Sequence, residues 1–275
     1  MARSLSRSKI DALGRRLAKQ AIHDAADLEM LAKLQAEYAV ALMAVDERVR
    51  TRLEPGPTYH GVPVAITQRI KTATTLIEKL RDGTSLSTMQ DVVGLRLVSN
   101  LVLVQQDRLT RDLRALFPAS RIVDRRKRPS HGYRAVHLIV DLNGIPVEIQ
   151  IRTHYQHLWA DITERLADAW GRGIRYGRPP QGGSSNEVAK REAVLDKWKA
   201  VAGKIDALER EMQSVFNTVR LRVGRQRQRG VTTELGELTG KIIADDPKLK
   251  RRMDRAASAV TDALKELDEA SSSVE

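Results

Sequence analysis

A small group of side chains able to do chemistry crowds one short stretch of the chain. Asn143-Gly144 separates two strand-like runs, Val136 to Leu142 and Ile145 to Thr153, and Asn-Gly between such runs is the strongest local hairpin signal. A two-residue loop sets Val140 opposite Val147, Ile139 opposite Glu148 and His137 opposite Gln150. Alternation then assigns Val136, Leu138, Val140, Val147, Ile149 and Ile151 to a core face. The opposite face displays Glu148, Gln150 and Arg152 beside Tyr133, Ala135 and His137. A solvated sheet face is usually rich in Lys, Glu and Thr, whereas this mixture has the composition of a site. A carboxylate on a basic surface suits metal-assisted phosphoryl transfer. Mg²⁺ takes one or two carboxylates and completes its shell with phosphate oxygens and water. The transferred group needs positive charge around it more than covalent help. Glu148 supplies one carboxylate, and Asp91, heading a run with Gly94 and Arg96, supplies the second.

The elements that must position these groups follow from periodicity. Ile10, Leu13, Leu17 and Ile22 recur at helical spacing, and Ala26 to Val49 carries Leu28, Leu31, Leu34, Tyr38, Leu42 and Val45 on one stripe. Glu54-Pro55-Gly56-Pro57 breaks this helix. A short helix is expected over 72–81, strands over 92–98 and 121–123, and a helix over 107–117. After the hairpin the period returns to helical over 155–172, with Leu158, Ile162, Leu166 and Ala169 on one face. Residues 173–185, with Pro179-Pro180 and Gly182-Gly183, read as a linker. A long helix over 187–224 follows, with Val188, Leu195, Trp198, Val201, Ile205, Leu208, Met212, Phe216 and Val219 close to a coiled seam, and a break near Gly230. Its stripe could pack on the core, pair with residues 26–49 or mediate homo-oligomers. A last helix runs from Pro247, suited to a first helical position, to about Glu269, ahead of a fraying Ser271-Ser272-Ser273 tail. The expected architecture is α+β: an N-terminal helical segment over 1–56, a sheet-containing core over 57–178 and a C-terminal helical extension over 186–275.

The chain of 275 residues is long enough to bury a real core, and its aromatics are only 4%, so that core is aliphatic. No apolar run reaches the roughly 18–20 residues a membrane span needs, and the segment from Met1 to Ser8 has no apolar stretch behind its charges, so no secretory signal is expected. With no cysteine, disulfides and thiolate metal sites are excluded, which agrees with a cytoplasmic home. The formal charge of +12 is concentrated: residues 61–180 hold 19 basic against 11 acidic side chains. Such a field attracts polyanions such as nucleotides or nucleic acid.

Arg69-Ile-Lys71, Lys79, Asp91-x-x-Gly94-x-Arg96, His131-Gly132-Tyr133-x-x-x-His137 and Glu148-Ile-Gln150-Ile-Arg152-Thr153 resemble, in order and spacing, the RelA/SpoT-type synthetase domain, over roughly residues 60–175. The resemblance implies a nucleotidyltransferase-like mixed sheet flanked by helices. It also implies transfer of the β,γ-pyrophosphate of ATP to the 3′-hydroxyl of GDP or GTP, giving (p)ppGpp. Under it, Arg69 and Arg96 flank the adenine and polyphosphate of ATP, Lys71 and Lys79 hold its phosphates, and Thr75 faces the same way as Lys79. Asp91 binds Mg²⁺, and Glu148 binds metal or accepts the proton of the attacking hydroxyl. Tyr133 stacks on the acceptor base, with His137, Gln150 and Arg152 positioning its sugar and phosphates.

One position departs from the family pattern. Many relatives carry lysine four residues before the stacking tyrosine; here it is Pro129, and the basic cluster Arg125 to Arg128 sits earlier, with Arg128 an acceptor-binding candidate. That leaves open the same chemistry on the 3′ end of tRNA, as in toxin members of the family. A nucleotide- or nucleic-acid-binding module without catalysis is a third possibility, which the presence of both Asp91 and Glu148 argues against. The hydrolase half of long family members is not expected. His23-Asp24 is adjacent, but too little chain precedes the synthetase region for a helical phosphohydrolase domain, and neighbours on a helix point about 100° apart. A small, single-function synthetase is the expectation.

Overall fold

The computed structural model describes residues 4–20, 23–53, 58–228 and 245–272; side chains are described up to 223 and 265 in its last two helices. Ile22, the break over 54–57 and the break near Gly230 lie outside the described residues. Contacts divide the chain into two units that cut across chain order.

The first unit comprises Met1–Asn100, Asp107–Arg125 and Ala135–Arg152. It contains helices α1 (Arg7–Lys19), α2 (Ala25–Arg52) and α3 (Ala73–Arg81), most of α4 (Leu103–Leu116) and a mixed sheet. The strands are β1 (Thr58–Tyr59), β2 (Val62–Ile70), β3 (Val93–Ser99), β4 (Arg121–Asp124), β5 (Val136–Leu142) and β6 (Ile145–Thr153), in the order β1-β2-β3-β6-β5-β4. The hairpin register is the expected one, Val140 opposite Val147 and His137 opposite Gln150. Asn143 (φ 55) and Gly144 (φ 85) are both left-handed, as a tight hairpin turn requires. Val136, Leu138, Val140, Val147, Ile149 and Ile151 are fully buried, each worth about 1.5–3 kcal/mol relative to exposure. Helix α2 lies on β2 and β3, and its Leu31, Leu34, Tyr38, Leu42, Val45 and Val49 are buried. Leu28 is exposed and falls off the expected stripe.

Strand β2 was not expected. Pro63 lowers its strand score, because proline cannot donate to a ladder. It is tolerated here at the second residue of the strand, opposite Thr58 of the two-residue β1. His23 and Asp24 are not on a helix, as the spacing implied; they lie directly before α2, where the Asp24 carboxylate caps Ala26 N at 3.0 Å.

The second unit comprises Leu101–Gln106, Arg126–Arg134 and Thr153–Glu275. Helix α5 (His154–Trp170) opens with a reciprocal capping box between Thr153 and Gln156. A 3₁₀ turn over Arg172–Tyr176 leads to α6 (Ser185–Gln228) and α7 (Pro247–Ser272). Pro247 does open its helix, behind an Asp246 side chain accepting from Lys248 N and Leu249 N. The α6 stripe is covered within this unit. Trp198, Val201, Ala202, Ile205 and Leu208 pack with Trp159 and Ala160 of α5 and with Val260 and Ala263 of α7. Trp159 and Trp198 stack with centroids 5.3 Å apart. Among the described residues no helix is long and apolar enough to cross a membrane.

Candidate active site

Glu148 stands on β6 with its side chain held from both sides. His137 Nδ1 lies 2.8 Å from one carboxylate oxygen, and Gln150 Nε2 donates to the other at 2.7 Å. Arg152 Nη2 donates in turn to Gln150 Oε1 at 2.9 Å. Residues 148, 150 and 152 share a face because strand side chains repeat every second residue. His137 reaches across as the diagonal neighbour of Glu148. This face is not open to solvent: Glu148 is 9% and Arg152 3% exposed. Burial alone would raise the Glu148 carboxyl, but the hydrogen bond and charge of His137 reverse this, against the opposing charge of Asp91. The net direction is downward, so the group is ionised at neutral pH.

Asp91 lies just before β3 and is less buried. Its Oδ2 accepts Lys79 Nζ at 2.6 Å and Lys71 Nζ at 3.2 Å. Burial pushes the Asp91 carboxyl up, yet the two ammonium groups outweigh it and hold it below the usual range. Burial drives the Lys71 ammonium below its ordinary value despite Asp91. Lys71 is fixed by its backbone: its N–H donates to Val92 O at 2.9 Å and its carbonyl accepts Gln35 Nε2 at 2.7 Å. Lys79 and Thr75 lie one turn apart on α3, and the Thr72 cap bonds Thr75 N at 3.3 Å. Arg69 pairs with Gly94 and Thr67 with Arg96 in the β2–β3 ladder, so Arg69 and Arg96 share one sheet face.

Gly94 explains why the short motif around Asp91 needs a glycine. A Cβ there would run into the backbone carbonyl of Glu148, so β3 and β6 come this close only where the side chain is missing. Asp91 and Glu148 are near enough for one charge to oppose ionisation of the other. Two carboxylates are hard oxygen donors of the kind Mg²⁺ takes, completing its shell with phosphate oxygens and water. Among the described residues no group of three or more His, Asp or Glu side chains that could hold a metal ion occurs.

Residues 68–167 match the family model described as the region found in RelA / SpoT proteins. They span the end of β2 through most of α5 and contain every residue just described except Gln35 and Thr67. Uncharacterized protein Rv1366 of Mycobacterium tuberculosis and uncharacterized protein Mb1401 of Mycobacterium bovis are each 44% identical to this chain over 137 residues, 48% of this chain and 50% of the relative. The chain therefore spans about half the length of the curated relatives it matches. The crystal structure of small alarmone synthetase 2 from Bacillus subtilis superposes with a TM-score of 0.52 at 20% identity, covering 68% of this chain and 98% of that one. That likeness establishes the fold.

Within residues 68–167, ten of the residues singled out from sequence fall in the first unit: Arg69, Lys71, Thr75, Lys79, Asp91, Arg96, His137, Glu148, Gln150 and Arg152. Tyr133 and Arg128 belong to the second unit. The hairpin reading extended β5 back through Tyr133, but the strand begins at Val136. Tyr133 instead closes a turn, its N–H donating to Ser130 O at 2.9 Å, and is half-buried against the Trp159 cluster. The reason is local. His131 (φ 50) and Gly132 (φ 92) are left-handed, which no strand accommodates. Arg128 is exposed.

Sequence reasoning missed a second polar constellation. In the second unit, Glu209 of α6 accepts from Thr153 Oγ1 and, at 3.1 Å, from Gln156 Nε2. Gln156 Oε1 accepts Gln106 Nε2 at 2.9 Å, and Gln106 Oε1 accepts Arg126 Nη1 at 2.9 Å. Burial raises the Glu209 carboxyl above its ordinary value. The one signal available was a Glu at a core-facing position of α6, beside Leu208.

Proposed function

We propose that the chain transfers the β,γ-pyrophosphate of ATP to the 3′-hydroxyl of GDP or GTP, yielding AMP and (p)ppGpp. The observation that carries this reading is the buried, ionised Glu148, clamped by His137 and Gln150 beside the Asp91–Lys71–Lys79 cluster inside a RelA/SpoT region. In the reaction the acceptor O3′ forms a bond to the β-phosphorus while the bond from that phosphorus to the α,β-bridging oxygen breaks, and AMP leaves. Glu148 is the acceptor for the hydroxyl proton, since a carboxylate already ionised at neutral pH can take it. The Arg152–Gln150 chain and His137 fix the direction of its lone pairs. Lys71 and Lys79 exchange Asp91 for phosphate oxygens when ATP enters, and Arg69 and Arg96 add positive charge where negative charge develops. Asp91 and Glu148 would hold Mg²⁺, whose charge would further neutralise the polyphosphate. Tyr133 offers the aromatic platform for the acceptor base.

The test is incubation with ATP labelled at the γ-phosphate and GDP, GTP or tRNA as acceptor. Label on GDP or GTP is the expected result. Exposed Arg125, Lys127 and Arg128 ahead of Tyr133 favour tRNA as the competing acceptor. Label on tRNA alone would replace the nucleotide reading, and label on none would remove catalysis altogether.

A further inference from the structure

The segment 126–134, which carries the tyrosine assigned above to the acceptor, is built onto helices α5 and α6. A Cβ on Gly132 would stand 2.8 Å from Trp159 Cζ2 and 3.1 Å from Ala202 Cβ, so the backbone of the turn lies directly on both helices. Any side chain at 132 would also oppose the φ of 92°. Tyr133 packs against the cluster that contains Trp159, Trp198, Ala202 and Ile205. Below the turn is a small cavity lined by Gly132, Arg134, Gln156, Trp159, Ala202 and Ile205.

Polar ties hold both ends of this segment. On the C-terminal side, Arg134 Nη1 donates to Asp206 Oδ1 of α6 at 2.7 Å and to Arg126 O at 3.1 Å. On the N-terminal side, Arg126 enters the Gln106–Gln156–Glu209 chain. Asp206 and Glu209 lie three apart on one helix, so a single face of α6 receives both ties. The second carboxylate oxygen of Asp206 faces Arg210, 3.0 Å away on the exposed side.

We propose that α6 sets the position of the acceptor turn, with Asp206 as a positioning residue for acceptor affinity. The C-terminal helices are then part of the recognition apparatus rather than an appendage. The physical reason is entropy: a turn with two left-handed residues held from both flanks loses less freedom when a base stacks on Tyr133. The proposal rests on the acceptor role of Tyr133, so its test has one readout independent of activity.

In the full chain, Asp206→Ala should raise the acceptor KM about tenfold while leaving kcat and the KM for ATP within about twofold. Asp206→Asn, whose amide oxygen still accepts from Arg134, should recover most of that loss. Arg210→Ala, which removes only the exposed partner, should change nothing. Amide hydrogen exchange over 130–134 should quicken in Asp206→Ala, with an unchanged unfolding midpoint. An unaltered acceptor KM in Asp206→Ala overturns the proposal, as does an equal change in the ATP KM. If the wild-type chain labels no acceptor, the proposed function fails by itself. Exchange over 130–134 then decides the positioning claim: quickening in Asp206→Ala sustains it and an unchanged rate removes it.

Discussion

Glu148 and Glu209 are both buried glutamates, 9% and 4% exposed, yet their protonation is pushed in opposite directions. Glu148 accepts from His137 and Gln150 and its carboxyl is lowered; Glu209 accepts from the hydroxyl of Thr153 and the amide of Gln156 and its carboxyl is raised. Burial opposes ionisation at both. What differs is the imidazole. A neutral donor returns part of the lost hydration, while a partner able to carry charge returns more. Burial of a carboxylate therefore says little about its chemistry until its partners are named. The first stays ionised, as the proposed proton acceptor must, while the second ties α6 to the start of α5.

The same substitution at both positions sharpens this contrast most. Glu148→Gln should lower transfer by about 10²- to 10⁴-fold, measured as kcat, with ATP affinity by calorimetry little changed. Unaltered kcat would remove Glu148 from the mechanism. Gly94→Ala attacks the same site through the backbone, because the added methyl meets the Glu148 carbonyl and not a movable side chain. A loss of about 3 kcal/mol in denaturant unfolding is expected, with reduced transfer in whatever remains folded.

At the other glutamate, Glu209→Ala leaves the Thr153 hydroxyl and the Gln156 amide without their acceptors, and should cost about 2–3 kcal/mol. Glu209→Gln should keep the fold, since an amide can accept from Gln156 and donate to Thr153. Its pH dependence separates the two sites. The folded pKa of Glu209 lies above the ordinary 4.5, so the folded state keeps a proton the unfolded chain has lost. Its contribution is full below that ordinary value and is lost as pH rises through the folded one. Stability of Glu209→Gln relative to wild type should therefore grow as pH rises from about 4.5. A flat difference in urea titrations across that range would mean the carboxylate is ionised like Glu148. The smallest effect is expected at the hairpin tip. Gly144→Ala, at φ 85, should cost about 1 kcal/mol without moving the register.

The hairpin and its polar face were legible because both depend on neighbours in sequence. A two-residue turn and a period of two suffice to pair His137 with Gln150 and to place Glu148, Gln150 and Arg152 together. The same reasoning failed three residues upstream, where His131 and Gly132 turn the chain before Tyr133 can join β5. Strand β2 was hidden by Pro63, whose penalty is real but applies little at the edge of a ladder.

By itself, then, the chain's order of residues determined the β5–β6 register, the helical periods and the resemblance to the RelA/SpoT region, since each is a relation between residues a few positions apart. Only the tertiary structure decided which charges meet. Asp91 was assigned to metal and Lys71 and Lys79 to phosphate from the resemblance, but the fold joins the three into one cluster. Glu209 reaches Thr153 across 56 positions and Asp206 reaches Arg134 across 72. No local pattern encodes such pairs, because the energy that selects them comes from excluding water around groups that burial elsewhere in the chain has brought together.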